Sequence, residues 1–89
     1  MGFGIGQAVK EMQDGKKVAR AGWNGKGMFL YYVQANSYKA TSPVAKAVWG
    51  DDALVPYQAY IAMKTAQDTV VPWLCSQSDL LATDWEIAA

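Results

Sequence analysis

The chain opens with apolar residues spaced three and four apart. Ile5, Ala8, Val9 and Met12 form one stripe, and Gln7, Lys10, Glu11 and Asp14 fall between them, the period of an amphipathic helix. This pattern predicts a helix over 4–14, with Phe3 folding back onto its first turn and Gly15 in the left-handed position after its last. Gly4 has no side chain with which to cap the first turn, so packing must hold it. From 17 to 22 the residues alternate loosely, as in a short strand, and lead into Trp23-Asn24-Gly25-Lys26-Gly27. Asn24-Gly25 favours positive φ at adjacent positions, and the aromatic and branched run 28–35 follows, which predicts a β-hairpin. In its second strand Met28, Leu30 and Tyr32 share one face while Phe29, Tyr31 and Val33 share the other, so both faces are expected to meet protein.

The segment 36–56 is less periodic. Asn36, Ser37, Thr41, Ser42 and Pro43 signal turns, and 44–49 reads either as a helical turn between Pro43 and Gly50 or as an irregular loop. Asp51-Asp52 and Pro56 mark a second exposed connection, and a long weakly patterned stretch between two sheet-like halves suits a binding or interface loop. Alternation returns with Tyr57, Ala59, Ile61 and Met63 opposite Gln58, Tyr60, Ala62 and Lys64, predicting a strand over 57–64, a turn at 65–68 and a returning strand over 69–74. Pro72 cannot donate to a ladder, which places that strand at an edge, at a bulge or at an early end. Ser76-Gln77-Ser78-Asp79 reads as a cap and first turn before Leu80-Leu81, and 83–87 as a terminal strand. The expected architecture is a single α+β domain over 1–89, an N-terminal helix packed with a small twisted, mainly antiparallel β-sheet.

Composition narrows the functions open to such a fold. A chain of 89 residues builds a marginal core, so oligomerisation is a reasonable way to complete it, and the 12% aromatic content needs cover from a core, a partner or a ligand. The formal charge is zero, which argues against binding a nucleic acid polymer. It is unevenly spread, with seven basic against two acidic residues over 1–46 and one lysine against six acids over 47–89. These are either solvated faces or basic and acidic edges that meet across a subunit boundary or around a small anion. Cys75 is the only cysteine, which excludes an internal disulfide, fits a reducing compartment, and is expected to be a buried or semi-buried, inert thiol. No apolar run is long enough to span a membrane and the start lacks a signal-peptide pattern, so a soluble intracellular protein without membrane attachment is expected.

The candidate chemistry points to binding. There is no His and a single Cys, so neither the usual neutral-pH proton shuttle nor a thiolate metal site is available, and no cofactor, metal or catalysis is expected. Asp79, Asp84 and Glu86 read as caps and salt-bridge partners, with hydrogen bonding to a ligand or interface as the second reading. Gly22, Gly25 and Gly27 around Trp23 and Lys26 are a hairpin turn, or else an anion contact with Arg20 and Lys26 as phosphate partners. Trp23 and Trp73 adjoin irregular backbone, where an indole can stack on a purine, whereas Trp85 reads as a packed anchor.

Several of these segments occur together in one known order. Residues 15–28, Met63-Lys64-Thr65-Ala66, Val71-Pro72-Trp73, Ser76-Gln77-Ser78-Asp79-Leu80-Leu81-Ala82 and Asp84-Trp85-Glu86 resemble the Thoeris anti-defense family of small phage proteins. That resemblance implies α+β protomers assembling into homotetramers in the host bacterial cytoplasm. It implies that they sequester glycocyclic ADP-ribose, or a related cyclic nucleotide, without cleaving it. It further implies Trp23 stacked on the adenine, with Arg20 or Asn24 and Asp84 making polar contacts to phosphate and ribose. Two alternatives stand beside it: an aromatic surface that masks a host or phage protein, and a sponge for cyclic oligonucleotides.

Overall fold

The computed structural model describes residues 2–23 and 25–89; Asn24, expected in the hairpin turn and as a ligand contact, lies outside the described residues. Helix α1 (Ile5–Gln13) buries Ala8 and Met12 on the stripe that the spacing predicts. Gly4 makes no side-chain cap, while at the other end Gly15 takes φ +92°. There the Gly15 N–H donates to the Met12 carbonyl at 3.0 Å and the Lys16 N–H to the Glu11 carbonyl at 3.1 Å, the paired bonds that close a helix through a left-handed residue.

Among the described residues seven strands follow: β1 (Val18–Arg20), β2 (Phe29–Val33), β3 (Asn36–Lys39), β4 (Leu54–Tyr57), β5 (Tyr60–Lys64), β6 (Val70–Pro72) and β7 (Trp85–Ile87). Five form an antiparallel sheet in the order β6-β5-β2-β1-β7, so the expected α+β class and the hairpin of β1 with β2 are both present. Pro72 lies on the edge strand, where its missing N–H costs no ladder bond. The opposite edge is closed by Phe3, which exchanges backbone bonds of 2.8 and 3.0 Å with Trp85. Helix α1 covers one sheet face, and the core beneath it is Ala8, Met12, Val18, Leu30 and Trp85. On the other face Phe29, Tyr31 and Val33 remain half-buried, Phe29 lying under the Lys17 ammonium at 4.7 Å from the ring centre.

The weakly patterned segment is more regular than its sequence suggests. Strands β3 and β4 pair, and between them Pro43–Trp49 forms helix α2, with the Ser42 hydroxyl accepting from the Ala45 N–H at 3.1 Å. The strand expected over 57–64 is therefore interrupted at Gln58-Ala59: its first residue belongs to β4 and the rest to β5. Both ladders nevertheless keep one register. Val33 pairs Tyr60 in the first and Asn36 pairs Tyr57 in the second, so β2-β3 and β4-β5 are the two sides of one long, interrupted hairpin with α2 at its tip. The tip is an arm. Among the described residues β3, α2 and β4 pack on one another and on no other helix or strand. The molecule consequently measures 49 × 25 × 24 Å, with a radius of gyration of 15.7 Å, where a compact chain of this length has about 12 Å.

Candidate functional site

Trp85 is the centre from which the site is built. Its side chain is fully buried, and its indole Nε1 donates to the Asp79 carbonyl at 3.0 Å, tying β7 to the short helix α3 (Gln77–Leu81). Two further indoles stand against it edge-on. The Trp23 ring lies 5.4 Å away at 79° and the Trp73 ring 5.9 Å away at 87°, the geometry that aromatic quadrupoles favour. Trp73 is set by its backbone N–H, which donates to the Ile61 carbonyl at 2.9 Å just beyond the end of β6. Trp23 is set by a tight turn in which its N–H donates to the Arg20 carbonyl at 3.1 Å. Both rings are only partly buried, and both border a cleft of about 330 Å³ whose remaining walls are Met28, Met63, Pro72, Leu74 and Asp79.

An ion cluster backs Trp23. Arg20 Nε donates to Asp84 Oδ1 at 2.8 Å, and Arg20 Nη1 to Asp79 Oδ1, also at 2.8 Å. Trp23 Nε1 adds a longer bond of 3.4 Å to the same Asp79 oxygen, and the Gly22 N–H donates to Asp84 Oδ2 at 2.9 Å. Burial alone pushes the Asp79 carboxyl upward, but hydrogen bonds from Arg20, Ser76 and Trp23 outweigh it and hold the group below the ordinary carboxylate range. Asp84 is held low chiefly by its hydrogen bond from Arg20, against some burial, with help from the Gly22 N–H. Two carboxylates kept ionised by one guanidinium are weak proton donors and weak bases near neutrality.

The residues singled out in the sequence thus separate. Trp23 and Trp73 come together at one cleft, and Trp85 is the packed anchor expected of it. Arg20 and Asp84 pair with each other behind Trp23 and are not among the lining residues, and Lys26 stands exposed on the turn, also outside the lining. Cys75 corrects an expectation: its residue is exposed, on the irregular loop between β6 and α3 where it belongs to no strand or helix. Its thiol is pushed upward by partial burial of the sulfur and by the nearby Asp79 charge, which leaves it a poor nucleophile. Asp79 is the residue the sequence reading undervalued. Ser76 caps α3 by accepting the Asp79 N–H at 3.1 Å, the visible signal, whereas the turn of the carboxylate toward Arg20 and Trp23 is a tertiary fact.

A second cleft of about 420 Å³ lies on the other side of Trp73, lined by α1 and β5 residues including Val9, Met12, Tyr60 and Ile61. It is the larger of the two, and among the described residues its polar lining is Gln13, Tyr32, Tyr60 and Cys75, with no charged side chain. Among the described residues, no three acidic or cysteine side chains converge as a metal site requires, and no helix is long and apolar enough to cross a membrane.

Comparison with known proteins agrees with the arrangement of these segments. A family model described as the Thoeris anti-defense 2-like domain matches residues 3–88. The Thoeris anti-defense 2 protein of Bacillus phage SP01 is 31% identical over 85 residues, covering 96% of this chain and 93% of that one.

Proposed function

Because the chain belongs to the Thoeris anti-defense 2-like family, we propose that it is a phage anti-defense protein. In this reading it binds a cyclic ADP-ribose-type immune signal, glycocyclic ADP-ribose, and holds it intact in the cytoplasm of the infected bacterium. The observation that carries this reading is the cleft bordered by Trp23 and Trp73, both propped on the sealed ring of Trp85. Indoles held this way offer stacking faces to a purine without first having to be ordered, which lowers the entropic cost of binding. The carboxylates beside them are locked in an ion cluster, so the site is equipped to hold a nucleotide and poorly equipped to break one. Capture without turnover works by stoichiometry, with protein in excess over signal and a dissociation constant below the level the effector needs.

The test is retention. Protein incubated with glycocyclic ADP-ribose, freed of unbound nucleotide and then heat-denatured, releases the intact signal; release of cleavage products alone overturns the sponge reading. Trp23→Ala abolishes retention while leaving assembly intact, and retention at the original level removes Trp23 from the site.

We propose further that the protein is a homo-oligomer, a tetramer, assembled through the arm. A two-stranded ribbon with one short helix has little stability by itself. Yet Val44, Val48, Trp49 and Leu54 are at least half exposed on it. Lys39 and Lys46 lie beside Asp51 and Asp52, so the arm carries both signs of charge and suits a twofold contact with a second copy of itself. Native mass spectrometry reads the subunit number. A monomer that binds a host defence protein through the arm would favour the interaction-module alternative.

A further inference from the structure

Among the described residues Asp79 is the sole charged one lining the cleft between Trp23 and Trp73. Its Oδ1 accepts from both Arg20 Nη1 and Trp23 Nε1, at 2.8 and 3.4 Å. With the Ser76 hydroxyl counted beside these two, three donors hold a carboxylate that has about four acceptor sites, which leaves room for one more donor. The side chain is 15% exposed, so it is partly desolvated without being sealed. Arg20 cannot neutralise the wall, because it is shared between Asp79 and Asp84 and the three groups together carry one excess negative charge. Among the described residues all others in the lining are Trp, Met, Pro or Leu, and none is basic.

From this we infer that the cleft is a seat for an uncharged nucleoside. The base stacks on the indoles, a hydroxyl or exocyclic amine of the nucleoside donates to the Asp79 carboxylate, and phosphate groups are kept outside. The inference rests on the nucleotide-binding reading above and deepens it, since it assigns to Asp79 a polar contact that the family resemblance places on Arg20 or Asn24 and Asp84. An oxyanion in the cleft meets a like charge with no cation to offset it, whereas an O–H or N–H donor completes a charge-assisted bond.

The experiment follows tryptophan fluorescence of the full chain during titration with adenosine and with inorganic pyrophosphate. Adenosine quenches the indoles and pyrophosphate neither quenches them nor competes with adenosine. Competition by pyrophosphate overturns the inference, as does absence of any adenosine signal from a protein that still retains glycocyclic ADP-ribose. Failure to retain glycocyclic ADP-ribose at all overturns the underlying reading instead, so the two failures are distinguishable. In Asp79→Asn one oxygen remains to accept from Arg20 while the other becomes an amide donor, so adenosine weakens at least about tenfold, in line with a lost bond to a charged acceptor. Unchanged adenosine affinity in that variant overturns the assignment. Should the variant not fold, the native chain decides through ligand analogues. Removing in turn the 2′-hydroxyl, the 3′-hydroxyl and the 6-amino group of adenosine produces a loss of similar size for the group that faces Asp79, and no loss for any of the three refutes it.

Discussion

Trp85→Phe separates a ring that merely fills space from one that holds a site. The phenyl ring fits the same pocket but cannot donate, so the bond of 3.0 Å to the Asp79 carbonyl disappears and that oxygen loses its indole partner. A bond of this kind is worth about 1 kcal/mol. The shorter ring also retracts from Trp23 and Trp73, whose edge-on contacts at 5.4 and 5.9 Å depend on the full indole. Each such contact is worth roughly 0.5–1.5 kcal/mol, and partial loss of both brings the total to about 2–3 kcal/mol. Against a total stability on the order of 4–13 kcal/mol for a domain of this size, this is a large fraction. In a thermal melt at fixed protein concentration it lowers Tm by about 8–24 °C. Nucleotide retention falls in parallel even though Trp85 does not line the cleft. A shift below about 4 °C with undiminished retention would refute the view that Trp85 supports the other two indoles.

The remaining perturbations probe the ion cluster. The folded-state carboxyls of Asp79 and Asp84 lie below their unfolded values, so their stabilisation is complete above the unfolded carboxyl range near 4 and is lost as pH falls through the folded values. With no His in the chain, Tm is expected to stay level from pH 8 to 5 and to drop below about 4. Asp84→Asn makes that acid drop shallower, and an unaltered acid limb counts against the cluster. Arg20→Lys supplies one ammonium where the fork now spans two carboxylates. Its effect should be equal on adenosine and on glycocyclic ADP-ribose; a loss confined to the phosphate-bearing ligand would instead make Arg20 a direct phosphate contact.

The sequence carried the helix stripe, the pairing of β1 with β2, the edge position of Pro72 and the anchor role of Trp85, because each rests on a local period, a glycine-rich turn or a missing donor; the positive φ of that turn falls at Gly27, with Asn24 outside the described residues. The arm was illegible for a physical reason. Its strands lie largely in solvent, only Ala40 and Val55 being buried there, so burial imposes no two-residue alternation for a reader to find. The break at Gln58-Ala59 was hidden for the converse reason: an interruption that preserves register also preserves alternation, so Tyr57 and Ile61 look like one strand. Within the site, residue types announced the two indoles that border the cleft. The choice among Asp79, Asp84 and Glu86 depended on which carboxylate the fold turns toward the cleft, and no spacing encodes that.

Energetics connect the arm to capture. Two indole stacks contribute about 1–3 kcal/mol each, and one bond to a charged acceptor about 1.5–3 kcal/mol. The cleft of a single protomer thus offers on the order of 3.5–9 kcal/mol, whereas nanomolar retention requires about 12 kcal/mol. On the proposed function the difference comes from groups outside the cleft, and the phosphates of glycocyclic ADP-ribose are the part of that ligand to which the cleft gives no partner. A second copy brought in by the arm is the economical source. Val48 tests this, being 66% exposed on α2 and lining no part of the cleft. Val48→Glu places a charge at the centre of the proposed contact, so the assembled mass falls while the far-ultraviolet circular dichroism is preserved. If assembly completes the site, retention of glycocyclic ADP-ribose weakens at least about tenfold in this variant, the equivalent of 1.4 kcal/mol, and adenosine affinity stays as in the native chain. Undiminished retention by a protein whose mass has dropped to one subunit would show that the protomer binds the whole ligand alone, and would require phosphate donors that the cleft walls do not provide.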